Sequence, residues 1–259
     1  MRSIPVPRTS ARRIAATLAA GTLLIGLLAT TAGHVLAVNG GACARPYPLV
    51  VDPADFTDAN GNPNAIDNPY FPLVPGTTFT YDGVKDGAPL HDVMTVTGDT
   101  RSIMGVTVTV VRDTNTSEGV LLEDTFDWYA QDDAGNVWYF GEDTTEFNPD
   151  GTVDTTFGSW EAGQGPNLPG ILIQNRPRSG HTYRQEYAPG VAIDMATPLS
   201  RTRHITVPAG TYHRVAMTKE FSCIEKGVDH KFYAPGTGLV AEVALSNGRE
   251  WIKLVSVTH

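Results

Sequence analysis

LLEDTFDWYAQDDAGNVWYFGED, residues 121–143, is the stretch that decides the fold class. Apolar and polar residues alternate on both sides of Asp132-Asp133-Ala134-Gly135, and the flanks are rich in Phe, Trp and Tyr. That is the pattern of two antiparallel strands joined by a short polar turn. With Gln131 paired to Asn136, one face carries Glu123, Thr125, Asp127 and Tyr129 beside Trp138, Phe140 and Glu142. The other face carries Asp124, Phe126, Trp128, Val137, Tyr139 and Asp143. Acids and rings occupy both faces, so neither is plainly the solvent side.

The same rhythm continues outward from this hairpin. Strand-like runs are expected at 77–82, 91–97, 106–113, 121–131, 136–141, 152–158, 182–187, 202–207, 212–220, 230–234, 238–245 and 251–257. Turn chemistry separates several of them, as at Asn148-Pro149-Asp150-Gly151, Pro208-Ala209-Gly210 and Pro235-Gly236. The expectation is an all-β fold, a curved antiparallel meander of about twelve strands forming an open or half barrel. Two parts break the rhythm. Residues 52–75 are rich in Asn, Asp and Pro and read as an irregular arm over the sheet, anchored by Tyr70, Phe71 and Leu73. Residues 160–177 are rich in Gly and Pro and read as a covering or binding loop.

The amino terminus has the layout of an export signal. Arg2, Arg8, Arg12 and Arg13 precede an apolar run from Ile14 to Ala32, and Val35 with Ala37 offers a small-residue cleavage site after Ala37. A retained transmembrane anchor is the alternative, since the run approaches the roughly 20 residues that span a bilayer. The division expected is 1–37 signal peptide, 38–75 irregular N-terminal arm and 76–259 a single antiparallel β domain, secreted or held in the cell envelope with no stable membrane span after cleavage. The only two cysteines, Cys43 and Cys223, are expected to form a disulfide in that oxidising compartment. The chain-entropy account gives such a long loop on the order of 4 to 5 kcal/mol. Lipidation of Cys43, with Cys223 free, is the alternative.

Residues 1–37 hold four arginines and no acid, so the formal charge of −9 becomes −13 without them. An acidic surface disfavours nucleic acid, whose phosphates require a basic one, and disfavours anionic headgroups for the same reason. It is compatible with divalent cations or a cationic substrate.

The segments IDNPYFPLVPGTTFTYDG (66–83) and EDTFDWYAQDDAGNVWYFGE (123–142) resemble those of an uncharacterised family of secreted bacterial proteins. GSWEAG (158–163), YRQEYAPG (183–190) and KFYAPGTGLVAE (231–242) extend the likeness over most of the chain after the signal. The closing Tyr-Ala-Pro-Gly-x-Gly-Leu-Val pattern is also similar to the last hairpin of periplasmic or lipoprotein half-barrels, which implies a curved antiparallel sheet around a hydrophobic groove. Neither resemblance implies an established reaction.

Two constellations could carry chemistry. Glu123, Asp127 and Glu142 among Tyr129, Trp138 and Phe140 could form an acidic, partly dry groove in which desolvation and like-charge repulsion raise a carboxylate pKa. In the bland alternative the acids of a twisted hairpin point to water while its rings fill the core. The second constellation is His181, Tyr183, Arg184, Glu186 and Tyr187, with Tyr183 and Tyr187 on one face and Arg184 and Glu186 on the other. Here Arg184 would pair with an acid of the 121–143 hairpin and fix the groove's shape. No metal spacing appears among the histidines, although His204 and His213 could face each other across the 208–210 turn. Asp58-x-Asn60-x-Asn62 opens like a calcium loop but places Pro63 where glycine is needed. No metal and no cofactor are expected.

The function expected first is a binding protein holding an apolar or amphiphilic small molecule in a groove lined by Tyr129, Trp138 and Phe140, with Trp160 on the covering loop and Arg184 also counted among the ligand-binding residues. A hydrolase or isomerase using two of Glu123, Asp127 and Glu142 is the second reading, and a surface interaction module without a small-molecule site the third. Ligand identity and oligomeric state are not legible in the residues.

Overall fold

The structure is a computed structural model that describes residues 40–245 and 250–259. The expected signal peptide lies outside the described residues. Strands β1 (Thr78–Lys85), β2 (Ala88–Ile103), β3 (Val106–Ser117), β4 (Val120–Gln131) and β5 (Val137–Phe147) form a meander of long hairpins. The short strands β6 (Val153–Thr155), β7 (Trp160–Glu161) and β8 (Leu168–Ile173) pair one after another along the far edge of β5. Two further short pieces, β9 (Tyr183–Arg184) and β10 (Glu186–Tyr187), precede a second meander: β11 (Asp194–Val207), β12 (Gly210–Ser222), β13 (Asp229–Ala234), β14 (Gly238–Ala244) and β15 (Trp251–Thr258).

The last strand returns to the first. Thr78 lies opposite Thr258 and Val84 opposite Trp251, so the hydrogen-bonded path runs β10-β8-β5-β4-β3-β2-β1-β15-β14-β13-β12-β11-β9. Its two ends are neighbours in the chain, separated by Gln185 alone. Arg184 pairs with Met195 of β11, and Glu186 pairs with Pro169 of β8. This one segment draws both edges together, and the sheet curls nearly closed into a barrel. The crossing is so close that a Cβ at Gly170 would run into the Gln185 carbonyl, which leaves glycine as the residue that fits.

The curved antiparallel meander expected from the sequence is therefore present, and it continues past a half barrel almost to closure. One expectation is corrected: residues 160–177 are not a covering loop, because β7 and β8 lie within them and build wall. Trp160, Leu172 and Ile173 bury their side chains there, which offsets the poor strand propensity of the surrounding glycines and prolines.

The arm enters the barrel rather than lying only over it. The Phe71 ring packs edge-on against Tyr129 of β4 at 5.5 Å and Tyr233 of β13 at 6.4 Å, two strands far apart in the strand order, so Phe71 spans the bore. Backbone groups fix it: Asn68 N–H donates to Gln131 Oε1 (2.8 Å), and Gly236 N–H donates to the Pro69 carbonyl (2.7 Å). Phe71 and Leu73 are buried and Tyr70 is half-buried. A short 3-10 turn, Pro53–Phe56, packs Phe56 on the outer side of β5 against Trp138 and Phe140.

A disulfide joins Cys43 to Cys223 across 180 residues, with a Cα–Cα distance of 5.6 Å. It consumes the thiol that lipidation of Cys43 would need. It also fits a chain that folds in an oxidising, extracytoplasmic compartment. No helix among the described residues is long and apolar enough to cross a membrane.

Candidate functional site

Two irregularities in the 121–143 hairpin decide what faces inward. The first is the turn, one residue longer than the sequence suggests, so that Gln131 opposes Val137 and not Asn136. The Asp132 carboxylate builds it by accepting from Asn136 N–H, Asn136 Nδ2 and Trp138 Nε1, each at 2.8 Å. This slip of one exchanges the faces of the returning strand. Tyr139, not Trp138 or Phe140, then lies opposite Tyr129 inside the barrel. The second is a bulge at Phe140–Gly141, where Gly141 has φ +122° and a Cβ would meet the Trp160 carbonyl. The extra residue restores the original phase, and Glu142 faces Asp127.

The structure therefore unites part of the expected set and separates the rest. Glu123, Asp127 and Glu142 share the inner face with Tyr129, all buried. Trp138 sits half-buried on the outer side, and Phe140 is buried there beneath Phe56; these two do not share a groove with Tyr129. Trp160 points inward from β7, 5.7 Å from the Tyr139 ring, and donates from Nε1 to Glu186 Oε2 at 3.1 Å. Arg184 pairs with no hairpin acid; its guanidinium lies between the rings of Tyr47 (5.2 Å) and Tyr187 (4.9 Å) on the outer side. The expected alternation of 183–187 fails for a physical reason: at Gln185 the chain leaves β11 for β8, so Arg184 and Tyr187 end up together while Glu186 turns in.

The interior is unusually rich in carboxylates. Asp92 of β2, Asp113 of β3, Glu123 and Asp127 of β4, Glu142 of β5, Glu186 of β10, Asp194 of β11 and Glu220 of β12 are all buried. Lys231 of β13 is the buried cation among them, with Nζ 3.3 Å from Glu220 Oε2 and 3.5 Å from Glu242 Oε2. Tyr233 OH and Thr218 Oγ1 donate to Glu220 Oε1 at 3.1 and 2.7 Å, so this group is well satisfied. Around Glu123, Thr125 Oγ1 donates at 2.8 Å and Thr144 closes the triangle.

The middle of the bore is different. Tyr139 OH donates to Asp127 Oδ1 at 2.6 Å, yet Asp127 Oδ2, Glu142 Oε2, Glu186 Oε1 and Tyr129 OH are buried without a hydrogen-bond partner. Buried polar atoms cost roughly 1 to 3 kcal/mol each when left unmatched, so a cluster of them marks either strain or a site. Burial drives Asp127 up to about 7, with the nearby Glu123 charge adding to it and the Tyr139 hydrogen bond opposing it. Burial first, then neighbouring acids, also holds Glu142 and Glu186 well above the ordinary carboxylate range. Asp92 reaches about 8, again through burial, and burial together with the neighbouring Asp92 charge holds Asp113 well above the ordinary carboxylate range. A ladder of rings, Phe71–Tyr129–Tyr139–Trp160, with centroids 5.5, 5.0 and 5.7 Å apart, flanks these acids.

Sequence reasoning passed over Asp92, Asp113, Glu186 as an inward group, and Lys231. Asp92 shares the phase of Leu90, Met94 and Val96, and Asp113 the phase of Val111, so their inward direction was available from alternation. His204 and His213 do face each other, ring centroids 4.7 Å apart, on an exposed hairpin. No group of three His, Cys, Asp or Glu side chains among the described residues is arranged to hold a metal ion. Asp58 Oδ1 is occupied by the backbone of its own loop, accepting from Asn60 and Asn62.

No known family matches the sequence, and no curated protein does. Two solved structures are similar in outline. One, from Bacteroides fragilis, is described as an exported protein with a YmcC-like fold; it has a TM-score of 0.44 and 16% identity, covering 73% of this chain and 99% of the other. The other, described as a lipoprotein from Parabacteroides distasonis, has a TM-score of 0.40 and 14% identity, covering 73% and 98%.

Proposed function

We propose that this is an extracytoplasmic binding protein that takes the cationic end of an amphiphilic small molecule into the middle of its barrel, between Asp127, Glu142 and Glu186, with the rings of Tyr129, Tyr139 and Trp160 against the apolar part. The observation that carries it is the set of partnerless, buried acceptor atoms, Asp127 Oδ2, Glu142 Oε2 and Glu186 Oε1, on side chains that share a strand with rings of the aromatic ladder or, for Glu186, accept a hydrogen bond from one of them. An ammonium group satisfies such oxygens and ring faces together. Apolar burial at about 25 cal/mol per Å² supplies the rest of the affinity. Beside residues 183–187 the wall is held by ladders of only two residues.

The test is titration with dodecyltrimethylammonium below its micelle-forming concentration, followed by Trp fluorescence, with dodecyl sulfate as the anionic control. The cation is expected to bind and the anion not, and Asp127→Asn with Glu142→Gln is expected to weaken binding by about tenfold or more, roughly 1.4 kcal/mol. Equal response to both detergents, or to neither, sinks the proposal. Native mass spectrometry of protein from its producing cell asks the same question without a chosen probe.

One rival has an observation in its favour. Asp127 and Glu142 are directly opposed and both titrate high, as an acid–base pair of a hydrolase or isomerase would. Turnover with a bell-shaped pH profile, abolished in Asp127→Asn, would replace binding by catalysis.

A further inference from the structure

The cations of this acidic chain are not spread evenly. Between residues 176 and 219 the only acids are Glu186 and Asp194, both buried, while Arg176, Arg178, Arg201, Arg203, Arg214 and Lys219 lie in the same stretch. The five arginines are exposed. None of the six is ion-paired among the described residues, whereas Arg101 and Arg112 elsewhere on the wall are matched by Glu161 and Asp124.

The β11–β12 hairpin presents the centre of this patch. Its register slips three times between Pro198 and Ile205. At the last slip Arg214 is held at φ 56°, a left-handed conformation that side-chain-bearing residues adopt rarely and at a cost. The hairpin is pinned on one side: Val207 and Val215 are buried, and Ala209 N–H donates to the Leu254 carbonyl at 3.0 Å. Around its bulges the hairpin leaves Arg201, Arg203, His204, His213 and Arg214 exposed, with Leu199 exposed near them in the chain. The local potential reaches β13, where burial and then Arg203 and Lys219 lower the His230 pKa.

We propose that this bulged, arginine-bearing face docks on a lipid surface that carries anionic phosphate headgroups. Arginine forks match phosphate oxygens two at a time. A chain of net charge −9 is repelled by an anionic surface in most orientations; the concentration of Arg201, Arg203 and Arg214 on one hairpin permits approach with this part first. Leu199 adds an apolar contact at headgroup depth. Extracytoplasmic folding brings the chain to a compartment bounded by such headgroups.

The experiment is co-sedimentation of the protein with phosphatidylcholine vesicles made with or without phosphatidylglycerol, at low and high salt. Each arginine near an anionic surface is worth about fivefold in affinity, so the triple variant Arg201→Gln, Arg203→Gln, Arg214→Gln is expected to bind roughly 100-fold more weakly. The single variants Arg201→Gln and Arg203→Gln, which leave the left-handed residue in place, should each lose about fivefold and guard against misfolding of the triple variant. Binding only to vesicles with phosphatidylglycerol, lost in high salt and unchanged in Arg112→Gln, supports the proposal. Equal binding to phosphatidylcholine alone, no binding at low salt, or undiminished binding by the variants overturns it. Tighter capture by soluble dextran sulfate than by the vesicles also overturns it, by assigning the face to an anionic polysaccharide.

Discussion

Replacing Asp127 by asparagine should make the protein more stable at alkaline pH and no more stable in acid. The folded chain lifts the Asp127 pKa from 3.8 to about 7, through burial first and the Glu123 charge next. The folded state therefore keeps a proton that the unfolded state releases, and this group supports folding fully below about pH 4 and progressively less as pH rises through 7. A shift of that size, at about 1.4 kcal/mol per pKa unit, amounts to about 4 kcal/mol lost by pH 8. Asparagine keeps the acceptor for Tyr139 OH, which donates to Oδ1 at 2.6 Å, and removes the ionisation. Urea unfolding at fixed ionic strength, with the disulfide intact, should show wild-type stability falling between pH 4.5 and 8.5 and Asp127→Asn falling less steeply by up to about 4 kcal/mol. Curves for the two proteins that stay parallel across this range would refute it, because they would mean that Asp127 ionises in the folded barrel as easily as in water. A cation bound between Asp127 and Glu142 would reverse the slope, so the measurement in the presence of dodecyltrimethylammonium also reports on the proposed ligand.

Three further outcomes are expected. Phe71→Ala should cost about 3 to 5 kcal/mol in chemical unfolding, since it empties the bore between Tyr129 and Tyr233; a loss below about 1 kcal/mol would show that the arm does not plug the barrel. Lys231→Met should cost about 3 to 5 kcal/mol at pH 8 by leaving Glu220 and Glu242 facing each other. Adding Glu220→Gln and Glu242→Gln should return most of that loss, and a triple variant no better than the single would count against an electrostatic cause. Replacing Cys43 and Cys223 by serine should lower stability by about 4 to 5 kcal/mol on the chain-entropy account of a 180-residue loop; thermal unfolding of the double variant beside the oxidised protein measures it.

The sequence carried the strand rhythm and the disulfide, because both depend on local pattern and on the count of two cysteines. It also carried the grouping of three acids, since Glu123, Asp127 and Glu142 do share one face. It did not carry the rings. One residue more in the 132–136 turn, added by the Asp132 carboxylate, and one more in the bulge at Gly141 cancel for Glu142 but not for the residues between them, so Tyr139 takes the place given to Trp138 and Phe140. Such single insertions leave no periodic trace. Wall strands β7 and β8 were hidden because their glycines and prolines look like loop, and Gly170 is there for the Gln185 backbone rather than for flexibility. Arg184 was misjudged because its ring partner Tyr47 lies far away in the chain.

β1 and β15 are hydrogen-bonded neighbours, which ties the completion of the wall to the order in which the polypeptide emerges. The strand that starts the meander has one edge bare until residues 251–258 are available. A chain crossing a membrane amino end first must therefore travel, and wait on the far side, with unmatched backbone groups at β1, a template for wrong pairing with a neighbouring molecule. Truncation before β15 would make that interval permanent, and aggregation rather than a smaller barrel would be its outcome.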